Sequence, residues 1–404
     1  MNLLMMTIYY PDECYQEVAS LSKDGMQNQI NNYQKAFIEG INACLEPSEK
    51  LQVLNSLPVG IFPVQYGKLF IPKTTYEEGR VWETGCVNLP CIKQKMREIR
   101  AARLLLRWLK AHPDNHRRVL VYTQYLPYLK AILKAKRKYP DLKAAVIVTD
   151  MPNQYGLDSG RSGLLKRIEQ RMGEKQLELL QQIDGFVLLT EHMAEVLPCE
   201  NKKTMVIEGL IQQREDAKSD VINEKESDSF EVLYTGTLSP ELGIQEMLDA
   251  FAAMPEVRLR ICGGGIMAEQ VRAFADQHDN IVFEGFVPQE KALALQAKAN
   301  ALINPRTPAG KFTRYSFPSK TLEYMRSGKP VVCYRLDGIP AEYDEYLNYI
   351  PSQDAAGIQQ AVRSLMQLSA EERQQMGERA KAFVLTHKNP KAQCDKLVSW
   401  LRSL

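Results

Sequence analysis

In the stretch YSFPSKTLEYM, residues 315–325, Ser319, Lys320 and Glu323 fall within five positions, directly after Pro318. If Pro318 turns the chain into a helix there, Ser319 is placed to cap it. The free N–H groups of the first turn, helped by the helix dipole, then favour an anion. Lys320 adds a full positive charge where the dipole would normally prefer an acid, and an anion at the helix tip resolves that conflict. Glu323, one turn further on, can accept hydrogen bonds from hydroxyls on whatever carries the anion. A phosphate attached to a sugar ring satisfies all three residues. A Ser-capped helix with a solvent-facing Lys and Glu is the ordinary alternative.

The elements that must position these residues follow from the rest of the chain. At 404 residues the polypeptide exceeds a single hydrophobic core and suits two domains. With 45% hydrophobic and 25% charged residues it has the composition of a soluble globular protein. No apolar run approaches the roughly 20 residues of a spanning helix, and MNLLMMTIYYPDE lacks the basic start of a signal peptide. The expected location is cytoplasmic. The eight cysteines are scattered without a C-x-x-C pair, so they read as reduced core residues, not disulfides or metal ligands.

Apolar β-type runs alternate with helical stretches in both halves: RVLVYTQY, AAVIVTD and GFVLLT in the first, EVLYTGTL, VRLRICGGG, IVFEGFV, ALINPR and KPVVCYRL in the second. Such alternation predicts an α/β protein with two Rossmann-like, doubly wound parallel sheets. The expected domains are 1–212 and 231–388, joined by a polar, aperiodic linker over 213–230. A last amphipathic helix over 389–404, with Cys394, Leu397, Trp400 and Leu401 on its apolar face, is expected to return to the first domain.

The net charge of +2 hides an asymmetry, since residues 91–140 hold fourteen Lys and Arg against Glu98 and Asp114. Arg100, Arg103, Arg107 and Lys110 recur at helical spacing. A solvated charged stripe accounts for this, and a peripheral contact with an anionic membrane surface is the sharper expectation. No DNA or RNA module accompanies the charge, so no nucleic-acid partner is expected.

In open parallel sheets ligands bind at the carboxyl ends of strands, which is where ALINPR leads through a basic loop into SFPSKTLEYM. The second half, from LYTGTL through GGG, VFEGFVP, LINPR and SFPSKTLEYMRSGKPVV, resembles the nucleotide-sugar-binding domain of family 4 (group 1) retaining glycosyltransferases of the GT-B fold. The bacterial members that build capsular or other surface polysaccharides are the nearest in look. The first half is similar in architecture and in DGMQNQINNYQKAFIEG, VIVTDMP and FVLLTEHM. The resemblance implies two domains facing across a cleft, with the terminal helix crossing back. It also implies hexose transfer from a nucleotide sugar, with UDP favoured, to a saccharide or lipid-linked acceptor.

Carried onto this chain, the resemblance makes Glu323 the second acid of an E-x7-E motif, holding the ribose hydroxyls. Tyr315 stands where the first Glu belongs. Thr237 and Leu242 occupy the places of an Arg and a Lys that grip the diphosphate in G-R-L-x-x-x-K-G. Charge developing on a leaving diphosphate must be met by preorganised cations and backbone N–H groups. Lys320 and Arg306, with the amides around Ser316, Pro318 and Ser319, are the expected replacements, and Arg314 and Lys311 stand in reserve. Lys320 and Glu323 are the residues expected to act in catalysis. Gly236 would let phosphate approach the backbone, Gly264 in ICGGGIMAE is placed to pass the nucleotide, and Phe286 and Val287 are expected beside the base. No Asp-x-Asp occurs, so neither a metal-bridged diphosphate nor any other cofactor is expected.

On the acceptor side, Gly25 is expected in a strand-to-helix loop, with Gln27, Asn28 and Asn31 offering amides to sugar hydroxyls. Asp150 ends one strand, and Tyr125 with Gln124 stands where related enzymes often carry a His. The resemblance implies no protein base, because the departing phosphate can take the acceptor's proton. A nucleotide-sugar 2-epimerase of the same architecture and a non-catalytic nucleotide-sugar binder are the alternative readings.

Overall fold

The structure is a computed structural model that describes residues 1–113, 116–151, 163–212 and 229–404. The expected linker 213–230 therefore lies, but for its last two residues, outside the described residues. The chain divides into two compact units, Met1–Leu210 with Pro390–Leu404, and Ile211–Asn389.

The first unit contains β1 (Asn2–Thr7), β2 (Lys50–Asn55), β3 (Phe70–Ile71), β4 (Thr75–Tyr76), β5 (Val81–Glu83), β6 (Cys86–Val87), β7 (Arg117–Tyr122), β8 (Lys143–Val148), β9 (Gly185–Leu188) and β10 (Lys203–Val206). Its helices are α1 (Asp12–Leu21), α2 (Asn28–Cys44), α3 (Ile92–Ala111), α4 (Leu126–Lys138) and α5 (Gly163–Leu180). The main sheet runs β10-β9-β8-β7-β1-β2-β5-β4, parallel except where β4 pairs antiparallel with β5. The central strands are apolar and buried on both faces, as a sheet covered by helices on each side requires. The strands β3 to β6, between β2 and α3, were not signalled by hydrophobic period because each is only two or three residues long.

The second unit contains β11 (Phe230–Thr237), β12 (Val257–Gly264), β13 (Ile281–Gly285), β14 (Ala301–Asn304), β15 (Val331–Cys333) and β16 (Asn348–Tyr349). Between and after them lie α6 (Ile244–Ala252), α7 (Ala268–Ala275), α8 (Gln289–Lys298), α9 (Ser319–Arg326), α10 (Ala355–Met366) and α11 (Ala370–His387). The sheet order is β13-β12-β11-β14-β15-β16, parallel throughout. The reversal of order beside β11 is the topological switch point at which open α/β sheets take ligands.

The last helix, α12 (Pro390–Arg402), belongs to the first unit. Cys394, Leu397, Val398 and Leu401 join Phe37, Ile38 and Ile41 of α2 over the sheet. Gly40 makes the close approach possible, since a Cβ there would lie 2.6 Å from the carbonyl oxygen of Pro390. The helix α11 before it is held by a capping box between Ser369 and Glu372.

Candidate functional site

In the second unit the loops leaving β13, β12, β11 and β14 lie side by side at one sheet edge, because those four strands are neighbours. Thr237 ends β11 with an exposed side chain. Gly263 and Gly265 flank the turn after β12 at φ +154° and +153°, and a Cβ on either would strike the carbonyl oxygen of Gly236 or Leu238 at 1.8 or 2.2 Å. These two glycines serve the packing of one loop on the next. Gly264 between them has open space where a Cβ would stand. Gly236 also has an internal reason to be glycine: the Tyr234 hydroxyl arches beside it and donates to the Thr237 carbonyl at 2.7 Å. Beyond β13, Phe286 is 87% exposed while Val287 packs partly into the core.

The helix α9 begins at the same edge, but its cap differs from the expectation. Pro318 is the N-cap residue, Ser319 is the first helical residue with an exposed side chain, and no side chain caps the helix. Proline preceding the first turn at a β-type backbone displaces the serine by one position, which leaves the leading N–H groups without a side-chain acceptor. Lys320 reaches both oxygens of Glu323 at 3.0 Å. Glu323 also accepts from Gln296 of α8 at 2.9 Å, and Gln296 reaches the Thr235 hydroxyl at 3.2 Å. Glu323 thus lies on the α8 side of the helix and lines a cavity of about 530 Å³ with Gln296, Arg326 and Lys329.

Below this edge Tyr324, wholly buried, accepts from the Thr235 amide at 2.8 Å and donates to its carbonyl at 2.9 Å. That exchange fixes α9 against β11. Gln296 and Tyr324 were not found from sequence; the signal was a glutamine inside the run ALALQAKA and a tyrosine following Glu323, both of which read as packing residues.

Arg306 is committed elsewhere than expected. Its Nη2 donates to the Ser316 hydroxyl at 2.6 Å and its guanidinium lies 4.7 Å over the Phe312 ring. Burial pushes its pKa down to about 10. It staples the loop between β14 and α9 together, with its Nε buried and lacking a partner among the described residues. Arg314 pairs with Asp337 at 3.1 Å. Tyr315 and Ser316 are half-buried in the same loop, and the side chain of Lys311 lies outside the described residues.

In the first unit, Tyr125 and Asp150 are brought together. They line a cavity of about 560 Å³ at the carboxyl ends of β7 and β8, with Gln94, Gln124 and Gln176. Tyr125 donates to Gln94 at 2.7 Å and accepts from the buried Arg97 at 3.0 Å. Gln124 donates to the Asp150 carbonyl, and its Oε1 is buried without a partner among the described residues. Thr123, on the cavity wall, adopts φ +56°, a strained backbone of the kind concentrated at functional sites. Gly25, Gln27 and Asn28 are not part of this cavity. Gly25 joins α1 to α2, so the loop is helix-to-helix. Asn28 accepts from Tyr15 at 2.8 Å, and Asn31 is buried, accepting from the Tyr10 amide at 2.7 Å. The helix α1 was missed in the sequence, and that moved the predicted loop.

Under the same edge, Glu83 is fully buried. It accepts from the Asn55 side chain at 2.9 Å and from the Gly85 and Leu57 amides at 3.0 and 3.2 Å. Burial pushes its carboxyl up to about 7, against the pull of Arg97 and these donors.

Residues 215–383 match the family described as glycosyl transferases group 1. Over its whole length the chain has the GT-B fold of solved glycosyltransferases. The sucrose-phosphate synthase of Thermosynechococcus elongatus superposes with a TM-score of 0.66 at 14% identity, covering 100% of this chain and 98% of the other. A trehalose-6-phosphate enzyme from E. coli, bound with UDP-2-fluoro glucose, gives 0.64 at 10% identity, covering 100% and 99%. The apo lipopolysaccharide outer core galactosyltransferase gives 0.57 at 12%, covering 94% and 95%. No curated protein sequence matches the chain significantly. No helix among the described residues is long and apolar enough to cross a membrane.

Proposed function

We propose that this glycosyltransferase moves a hexose, with retention of configuration and without metal, from a nucleotide sugar to a saccharide or lipid-linked saccharide acceptor in surface polysaccharide synthesis. UDP is the favoured carrier; the UDP-2-fluoro glucose held by a protein of the same fold supports that choice. The observation that carries the reading is the amino end of α9, uncapped by any side chain, with Lys320 in its first turn and Glu323 one turn on. Its free N–H groups and dipole suit a diphosphate, and Lys320 exchanges its internal partner Glu323 for the phosphate. Glu323, released, accepts from the ribose hydroxyls. Gly264 and Thr237 border the diphosphate, and Phe286 and Val287 the base.

In the reaction the bond between the sugar's anomeric carbon and the diphosphate breaks, and a bond to the acceptor oxygen forms on the same face. The acceptor's proton passes to the departing phosphate, whose charge Lys320 and the helix amides stabilise. Tyr125, Asp150 and the amides of Gln94, Gln124 and Gln176 receive the acceptor. Thermal-shift and calorimetric comparison of UDP, GDP and ADP, with chelator present, tests this. UDP is expected to bind best, and the Glu323→Ala variant to lose nucleoside affinity. Equal binding of all three nucleotides, or a strict need for divalent metal, would reject it.

A further inference from the structure

The first unit carries its charge unevenly across its sheet. Helix α3 packs on α4 and α4 on α5, forming the layer over one face. Not all of the basic stretch reaches its surface: Lys93, Arg97 and Arg117 are buried, while Arg100 and Arg118 turn onto the carbonyls of Thr84 and Leu401. Lys95 and Lys130 share Glu98. Six cations remain exposed, Arg103, Arg107 and Lys110 on α3 and Lys134, Arg137 and Lys138 on α4, and among the described residues none of them pairs with a carboxylate.

On the opposite side of the sheet, charge of the other sign collects locally, beside α1 and α2. There a cavity of about 800 Å³ is lined by Asp12, Glu13, Glu39, Glu77 and Glu78 against only Lys35 and Arg80. An extended anionic surface attracts the basic layer and repels this acidic cavity. The exposed large apolar side chains of that layer are aliphatic, Ile92 and Ile99 on α3 and Ile168 and Met172 on α5. Aliphatic side chains among cations suit the headgroup and acyl boundary of a bilayer. Single-stranded nucleic acid would instead call for exposed aromatic platforms.

We propose that the α3–α4–α5 face of the first unit docks on an anionic phospholipid bilayer. The contact is electrostatic in its main part and weakens as salt screens it. The inference does not depend on which sugar nucleotide the second unit binds.

The test is co-sedimentation of the full chain with vesicles of phosphatidylcholine containing phosphatidylglycerol, beside vesicles of phosphatidylcholine alone and a duplex DNA control. Binding to the anionic vesicles alone, falling with added salt, is expected. The triple variant Arg103→Glu, Lys134→Glu, Arg137→Glu should lower partitioning by about a hundredfold, at roughly fivefold per cation. The pair Glu39→Lys, Glu78→Lys on the other side should leave it unchanged. An unaltered melting temperature and unaltered UDP binding show that the triple variant is folded. Equal binding to both kinds of vesicle, no binding to either, binding to DNA only, or undiminished binding by the triple variant would overturn the proposal. Loss of UDP binding with vesicle binding intact would strike the donor reading and leave this one standing.

Discussion

The two units end their parallel strands at edges of different chemistry. In the second, the edge is made of backbone: glycine turns pressed together after β11 and β12, and a helix that starts without a cap beside Lys320. In the first, the cavity beyond β7 and β8 gathers the side-chain amides of Gln94, Gln124 and Gln176 and the Tyr125 phenol beside Asp150, and its two lysines, Lys95 and Lys130, are already paired with Glu98. Backbone N–H groups and a lysine suit a fixed anion, whereas amides that both donate and accept suit hydroxyls. This difference supports the proposal that the nucleotide diphosphate belongs to the second unit and the acceptor's hydroxyls to the first. Each edge also rests on a buried polar network, built on Glu83 in the first unit and on Tyr324 in the second.

Those networks give the largest expected effects. Only the first titrates near neutrality. Glu83 rises from an ordinary 4.5 to about 7, so the folded state holds its proton more tightly than the unfolded chain. The stability tied to that proton is complete below pH 4.5 and is lost as pH rises towards 7, about 3 kcal/mol in all. Denaturant midpoints measured across this window should fall for the native protein and flatten in Glu83→Gln. A flat native profile would mean that Arg97 and the donor amides hold the carboxylate ionised throughout.

Tyr324→Phe removes the acceptor of a buried amide and should cost about 1–3 kcal/mol, with no pH dependence between 5 and 8, where a phenol does not titrate. A pH-dependent loss would blur the contrast between the two networks. The smallest effect belongs to the amide edge: Gln124→Ala should raise the acceptor KM roughly five- to tenfold, at about 1 kcal/mol per neutral hydrogen bond, with UDP affinity unchanged. A change in UDP affinity alone would put that cavity on the donor side.

Much of this architecture was legible in the sequence because its long strands carry continuous apolar runs and its helices a clear period. AAVIVTD and ALINPR became β8 and β14, and the apolar face of residues 390–402 became α12, packed on α2. The strands from β3 to β6 were illegible because two residues have no period, and α1 was missed because IYYPDECY reads as a turn. Near the tip of α9, Lys320 stood out by its conflict with the helix dipole and Glu323 by its place one turn further on. Ser319 was misread because Pro318 takes the cap position, and Arg306 because nothing local announces that Phe312 and Ser316 fold back onto it. Gln296 was hidden for the same reason: its partners, Glu323 and Thr235, are distant in the chain.

The central claim is that the tip of α9 holds a diphosphate, and the most direct test is calorimetric titration of UDP and uridine into the native protein and Lys320→Ala. A charge-assisted contact is worth about 1.5–3 kcal/mol, so UDP affinity should fall roughly tenfold to a hundredfold while uridine affinity stays as it was. Equal losses for UDP and uridine, or no loss for either, would contradict the account.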